Sequence, residues 1–276
     1  PSVLHDREVV FVLVSTVKHV VRGAEDRALR ILTAAGVRRS QETLAEQARD
    51  YWVGGGGDRW RSDSHWRDAD VFSGTDLWSD LGRRHLEMVE RAGRALGGPT
   101  DHWGRVVEWG CGGGANAVHF APRAGEFVGV DVAPESLVEC GTQVEAVCDT
   151  PWKPVLVDVA HPEAAAAGIG SCDLWLSYYV FELLPSREYG ARLLTLAHRM
   201  LRPGGIASIQ IKYSDGTWAT RPRRWGYRSS VAGMTAYRIE EFWELAARVG
   251  FVPELVELRP RDDLDRRYAY FTLRRP

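Results

Sequence analysis

Short apolar runs alternate with helix-spaced segments through the second half of the chain. Val106-Val107, Phe127 to Val130, Val155 to Val157, Leu174 to Leu176 and Ile206 to Ile211 are brief and rich in β-branched or aromatic side chains, which predicts buried strands. Between them the spacing predicts helices after the first strand to about Ala121, over Pro134 to about Val144, and over Tyr189 to Leu201. Arg202-Pro203-Gly204-Gly205 reads as a turn into the fifth strand. Residues 213–238 read as an irregular insertion, and Ile239 to Val249 as an amphipathic helix with Phe242, Leu245 and Ala246 inward. Two last strands, Val252 to Leu258 and Tyr268 to Leu273, face each other across a turn at Pro260 to Asp265. Strand–helix alternation implies a parallel sheet, and the final hairpin breaks it.

The first third is patterned differently. Glu25 to Ala35 places Ala28, Leu29, Ile31 and Leu32 on one helical face, with Gly36 as its stop, and Gln41 to Trp52 reads as a second helix. Gly54 to Gly57 is a flexible joint. Asp58 to Asp76 has no clean period but carries Trp60, His65, Trp66 and Phe72, an aromatic density that predicts packing rather than a solvated linker. Ser79 is placed to cap a helix with Leu81, Leu86, Val89 and Leu96 on its apolar face, ended by Gly97-Gly98.

With 276 residues and 45% hydrophobic content, the chain can bury a sizeable core as one large domain or a domain with an extension. A net charge of −2 argues against a polyanion-binding surface. Its four cysteines show no metal spacing, so the expectation is reduced thiols in a cytoplasmic protein with no metal. Val9 to Val14 is too short to span a bilayer, and His5, Asp6, Arg7 and Glu8 before it do not suit a signal peptide. That run reads as a buried strand or helix segment, with a homodimer contact as the alternative if it is exposed.

Chemistry concentrates at Glu108-Trp109-Gly110-Cys111-Gly112-Gly113-Gly114. Glycines let a backbone turn sharply and approach a ligand, but a loose glycine pattern alone is weak evidence. Glu108 sharpens it: a carboxylate at the strand tip repels a pyrophosphate and suits a cation. Asp131, 23 residues on, ends the second strand.

These residues match, at every fixed position, the E/D-x-G-x-G-x-G motif of the class I S-adenosylmethionine (SAM)-dependent methyltransferases, which residues from about 80 onward resemble. SAM carries a sulfonium, an ammonium and two ribose hydroxyls but no phosphate. The resemblance implies an α/β fold: a Rossmann-like seven-stranded, mostly parallel sheet with an antiparallel C-terminal strand, over residues 79–276. Residues 1–78, of which the first fifty find no place in the resemblance, are expected to form a helical, aromatic N-terminal extension and substrate lid, and 213–238 a second lid. It further implies SAM as cofactor, with Glu108 near the ammonium, Gly110 and Gly112 beside the methionine part, and Asp131, followed by Val132, on the ribose hydroxyls. Asp158 would meet the adenine amine, with the Val159 N–H on a ring nitrogen; Asp149 is its rival. Asn116 either reaches the cofactor or packs in its helix. Ser177 and Tyr178 would lie nearest the methyl group.

Phe181-Glu182-Leu183-Leu184-Pro185 aligns with a family L-E-H-V-P motif, but Leu183 replaces the histidine that some relatives use as a base. Nor is this the N-P-P-Y/F motif of enzymes acting on amide or nucleobase nitrogens. Candidate bases are then Glu182 and His65, with Tyr179 behind them; Tyr178 orients an acceptor or merely packs. Glu182 has the alternative of capping the next helix, and His65 of lying at the surface. Trp60, Trp66, Tyr179, Tyr213, Trp218, Arg224 and Trp225 are the expected acceptor contacts, aromatic rings excluding water and arginine suiting an anion. A solvated basic loop is the bland alternative. The expected function is methyl transfer to oxygen or nitrogen of a small molecule, such as a specialised metabolite, with no nucleic-acid or membrane partner. Alternatives are a non-methylating protein that holds SAM structurally, for example in a cyclisation, or an RNA or protein methyltransferase. A dinucleotide oxidoreductase is disfavoured by Glu108 and the closing hairpin.

Overall fold

The structure, a computed structural model, describes residues 39–55, 59–223, 225–227 and 231–276, with scattered positions from 24 to 37. The strands are β1 (Trp103–Trp109), β2 (Ala124–Asp131), β3 (Trp152–Leu156), β4 (Cys172–Ser177), β5 (Leu201–Lys212), β6 (Val252–Arg261) and β7 (Arg266–Arg274). They form one seven-stranded sheet in the order β3-β2-β1-β4-β5-β7-β6. β1 to β5 pair in parallel, while β7 runs antiparallel between β5 and β6. This is the Rossmann-like class I methyltransferase topology that the sequence resemblance implied. Strand order reverses at β1, so the ends of β1, β2 and β4 flank the crevice where ligands of such sheets bind.

Five longer helices accompany the sheet: α1 (Gln41–Asp50), α2 (Leu77–Leu96), α3 (Pro134–Glu145), α4 (Arg187–Met200) and α5 (Ile239–Val249). Side-chain caps start two of them, Ser40 accepting from Thr43 N and Ser186 from Tyr189 N. Left-handed Gly97 ends α2. One face of α2 buries Trp78, Leu81, His85, Leu86, Val89 and Ala92 at helical spacing. The N-terminal segment joins the sheet's own core: Leu44, Ala48, Tyr51, Trp52 and Trp60 cluster with Val107, Val128 and Val130.

Several boundaries differ from the sequence expectation. α1 stops at Asp50 and passes into a π-helical turn over Tyr51–Gly55. α2 begins at Leu77, whose N–H donates to the Thr75 hydroxyl; Ser79 is no cap and meets His119 Nε2 at 3.2 Å. After β1 the glycine loop runs on to Asn116, so the helix there is only Ala117–Phe120. β3 starts earlier, at Trp152, whose indole fills the space over Gly129 and Gly141. As an edge strand it tolerates Pro154. The expected turn at Arg202–Gly205 lies inside β5, absorbed by a register shift against β4.

Ala24, Arg27, Ala28, Ile31 and Leu32 are helical, yet Ile31 is 56% exposed, so the expected apolar face is not buried there. Leu29, Gly36, Arg224, the Val9 to Val14 run proposed for dimer contact and the Gly56-Gly57 part of the joint lie outside the described residues. Among the described residues no helix is long and apolar enough to cross a membrane, and no group of three metal-ligating side chains assembles.

Candidate active site

The turn after β1 is built by left-handed glycines, Gly110 (φ 77°), Gly112 (φ 50°) and Gly114 (φ 89°), a region that side chains disfavour. A Cβ on Gly110 would strike Val180, and one on Gly112 the Ser64 carbonyl. The Gly113 N–H donates to that same carbonyl at 2.7 Å. Residues 63–65 therefore sit directly on the glycine loop and roof the cleft at the strand ends. The cleft occupies about 880 Å³ counting its open mouth.

Glu108 forms its floor. Its carboxylate is 1% exposed; Oε1 accepts from Asn116 Nδ2 at 2.7 Å, and Oε2 has no hydrogen-bond partner. Burial pushes its pKa up to about 8, against the Asn116 bond. Asn116 Oδ1 lies 2.7 Å from His85 Nδ1, and His85 Nε2 lies 3.2 Å from the Tyr270 hydroxyl. Since Asn116 spends an N–H on Glu108, His85 donates from Nδ1 and accepts from Tyr270. Burial holds the His85 pKa near 4, so the ring is neutral, as this relay requires. A buried carboxylate with one free oxygen calls for a cation carrying a hydrogen-bond donor.

Asp131, at the tip of β2, is also buried, and desolvation raises its pKa. Its oxygens accept from Gly112 N at 2.9 Å and Ala133 N at 3.0 Å. Val132, Val157 and Val159 continue the wall apolarly. Asp158 is exposed and does not line the cleft: it accepts from Ala160 N and pairs with His161 Nδ1 at 2.9 Å, which holds its pKa down. Ser177 is likewise turned away, donating to the Trp109 carbonyl at 3.3 Å.

Beyond β4 the chain passes between two cavities. Tyr178 lines the first, but its hydroxyl donates to Ser208 Oγ at 2.7 Å and its ring stacks on His85, which leaves packing as its visible work. Asp63, His65, Tyr179 and Leu183 line both cavities. His65 (φ 54°) and Tyr179 (φ 56°) are two of the three described non-glycine residues with left-handed backbone, and their rings meet at 4.7 Å. Such strain concentrates where surrounding structure enforces it, often at functional sites. Tyr179 is tied at both ends, its N–H to Gln210 Oε1 and its hydroxyl to Asp262 Oδ2. Desolvation lowers the His65 pKa to about 4. Glu182 lines the second cavity, is 1% exposed and leaves Oε2 without a partner. Burial raises its pKa to about 7, partly offset by Lys212.

The expected aromatic contacts are mostly elsewhere. Trp60 is buried in the main core, and Trp66 reaches from its edge to Ser136 Oγ at 3.2 Å. Tyr213, Trp218 and Trp225 line neither cavity; Trp218 is 40% exposed and Trp225 donates to the Val37 carbonyl. Instead Ala48, Trp52, Ser64 and Tyr227 close the cleft, Trp52 Nε1 donating to the Tyr227 hydroxyl at 2.7 Å. Tyr227 belongs to the 213–238 insertion expected as a lid; no sequence pattern singled out the other three. The signal for His85 was present, a histidine on the apolar face of α2.

A family described as a methyltransferase domain matches residues 107–207. Solved structures share the fold at low identity. N-methyltransferase NodS from Bradyrhizobium japonicum WM9, with S-adenosylhomocysteine (SAH), aligns with TM-score 0.55 and 17% identity, over 84% of this chain and 98% of that one. Magnesium protoporphyrin IX methyltransferase (ChlM) from Synechocystis PCC 6803, with bound SAH, gives 0.59 and 14%, over 84% and 99%. The Burkholderia thailandensis 1,6-didemethyltoxoflavin-N1-methyltransferase, with 1,6-didemethyltoxoflavin and SAH bound, gives 0.57 and 19%, over 86% and 91%. A search of curated proteins by sequence returned no match. The free Glu108 oxygen suits an ammonium group, and the roofed glycine turn beside Asp131 suits a nucleoside without phosphate. Residues 107–207 thus match a methyltransferase domain, and the sheet order and glycine turn around them are those of the class I SAM-dependent methyltransferase fold.

Proposed function

We propose that the protein methylates a nitrogen or oxygen of a small molecule, a specialised metabolite for example, held in the second cavity. The observation that carries this reading is the shared wall: His65 and Tyr179 border both the cofactor cleft and a neighbouring chamber that Glu182 faces. The solved relatives named for nitrogen acceptors, NodS and the toxoflavin enzyme, agree with it in fold.

When bound, SAM supplies a methyl group on a sulfonium centre. Glu108, oriented by Asn116 and His85, would hold the ammonium, and Asp131 would accept from the ribose hydroxyls. Val132, Val157 and Val159 would offer the adenine an apolar wall, while Asp158 stays outside the cleft and Ser177 braces the strand ends. The roof of Trp52, Ser64, His65 and Tyr227 keeps water away and fixes the reactants' alignment. Glu182, with a pKa near neutrality, accepts the acceptor's proton. His65, held neutral, positions Tyr179 rather than serving as the base.

Calorimetric titration of SAM into wild type and Asp131→Ala tests the cofactor half. Micromolar binding, lost by about two orders of magnitude in a variant with unchanged far-UV circular dichroism, is expected. Absence of binding by folded wild type overturns it. Methylation of RNA or protein with none of any small acceptor overturns the small-molecule half.

A further inference from the structure

The second cavity draws on four parts of the chain: Arg59, Asp63 and His65 from the roof, Tyr179 and Glu182 after β4, Val231 from the insertion, and Asp265 and Tyr268 from the β6–β7 hairpin. Its charges are mostly spoken for. Asp63 accepts from the Tyr51 hydroxyl and faces Arg59 at 3.6 Å, and Asp265 pairs with Lys212. Among the described lining residues that leaves Glu182 as the one acid without an ion pair of its own, almost fully buried and with Oε2 unbonded; Lys212 acts on it only from a distance. Among the described residues the cations Arg59 and Lys212, which line or back the chamber, already face a carboxylate.

We propose that this chamber is the acceptor site and that the acceptor is an amine, which enters as an ammonium ion and binds Glu182. The inference rests on the methyltransferase reading and narrows it. An ammonium supplies both things that Glu182 lacks, a cation paired directly with it and an N–H for Oε2. A carboxylate or phosphate acceptor would instead meet an unbalanced acid. The faces and edges of Tyr179 and Tyr268, whose rings meet edge-on at 5.3 Å, provide an apolar and cation-tolerant wall for the carbon skeleton.

The chemistry balances. The bound ammonium gives one proton to the Glu182 carboxylate, a transfer that burial favours by destabilising both charged forms. The freed nitrogen lone pair forms the N–CH3 bond as the S–CH3 bond of SAM breaks, and the electron pair of that bond stays on sulfur. The product leaves as the methylated ammonium with SAH, and Glu182 returns its proton to solvent.

The test is calorimetry on the full chain saturated with SAH, using three probes of one skeleton: phenethylamine, 2-phenylethanol and 3-phenylpropionate. The amine should bind at least about tenfold more tightly than the alcohol, and the carboxylate weakest. Amine affinity should rise from pH 6 to pH 8 as Glu182 ionises. Glu182→Gln should bring the amine down to the alcohol's affinity while SAH still binds; should that variant not fold, the wild-type probe and pH series decides alone. An alcohol or carboxylate that binds as tightly as the amine, or an SAH-loaded protein that binds no amine, overturns the inference while leaving methyl transfer intact. Failure of SAH itself to bind removes the methyltransferase reading and the inference with it.

Discussion

Glu108 presents one oxygen to Asn116 and keeps the other for a ligand, and burial leaves it mostly protonated at neutral pH. A cationic partner favours the ionised form. SAM binding at pH 7 should therefore release close to one proton, and the release should fade above about pH 8. Titration in phosphate and in Tris, whose ionisation enthalpies differ, measures it. Glu108→Gln should release none and bind about 10- to 100-fold more weakly, the usual worth of a charged hydrogen bond; equal release by the variant would place the proton elsewhere. Glu108, Gly110, Gly112 and Asp131 could be read from the chain because their motif is local. For His85 only its place on an apolar helix face was legible; its work was not, since that depends on contacts with Asn116 and Tyr270, 31 and 185 residues away. Asp158 illustrates the opposite hazard: it ends an apolar run, as the motif asks, but His161 three residues later claims its side chain.

At the scale of elements, the central strands were legible because both faces of a parallel sheet are buried and their runs are continuously apolar. The roof was half legible. Aromatic density predicted that residues 58–76 pack on something, but which ring meets the cleft follows from the path of the chain over Gly112 and Gly113, not from composition. That close passage is testable. Gly112→Ala puts a methyl group against the Ser64 carbonyl and strains a left-handed backbone. It should loosen the roof, seen as faster tryptic cleavage at Arg59, Arg61 and Arg67, and weaken SAM binding. Unchanged cleavage would show that the roof does not depend on the glycine loop. Trp52→Phe keeps the ring but removes the buried bond to Tyr227. It should cost about 1 kcal/mol or somewhat more in denaturant unfolding, because the Tyr227 hydroxyl is left unsatisfied.

For the whole molecule, the buried titratable groups set a pH profile. Glu108 and Glu182, raised to about 8 and 7, hold protons that the unfolded chain releases near 4.5, so they favour the fold at low pH and lose that contribution as pH rises through 7 to 8. His65 and His85, lowered to about 4, act oppositely: below about 6.5 the unfolded chain binds protons that the fold refuses. The two effects oppose each other between about pH 4.5 and 6.5, and only the carboxylates remain above. The melting temperature of the ligand-free protein should accordingly stay nearly level between about pH 5 and 6 and fall toward pH 8.5. Glu108→Gln and Glu182→Gln together should flatten the alkaline fall; an unchanged fall would refute the assignment. The overall sheet order was also legible, from strand–helix alternation and the closing hairpin, whereas the division of labour between two cavities was not, because it arises where the roof, the insertion and the hairpin meet. The position of β7 between β5 and β6 has a kinetic consequence. β6 pairs with β7 alone, so it has no place in the sheet until the last strand has threaded in beside β5. Asp265 and Tyr268 lie on this β6–β7 hairpin, which reaches the rest of the sheet only through the pairing of β7 with β5. During refolding, competence toward the acceptor should appear only as that hairpin docks on β5.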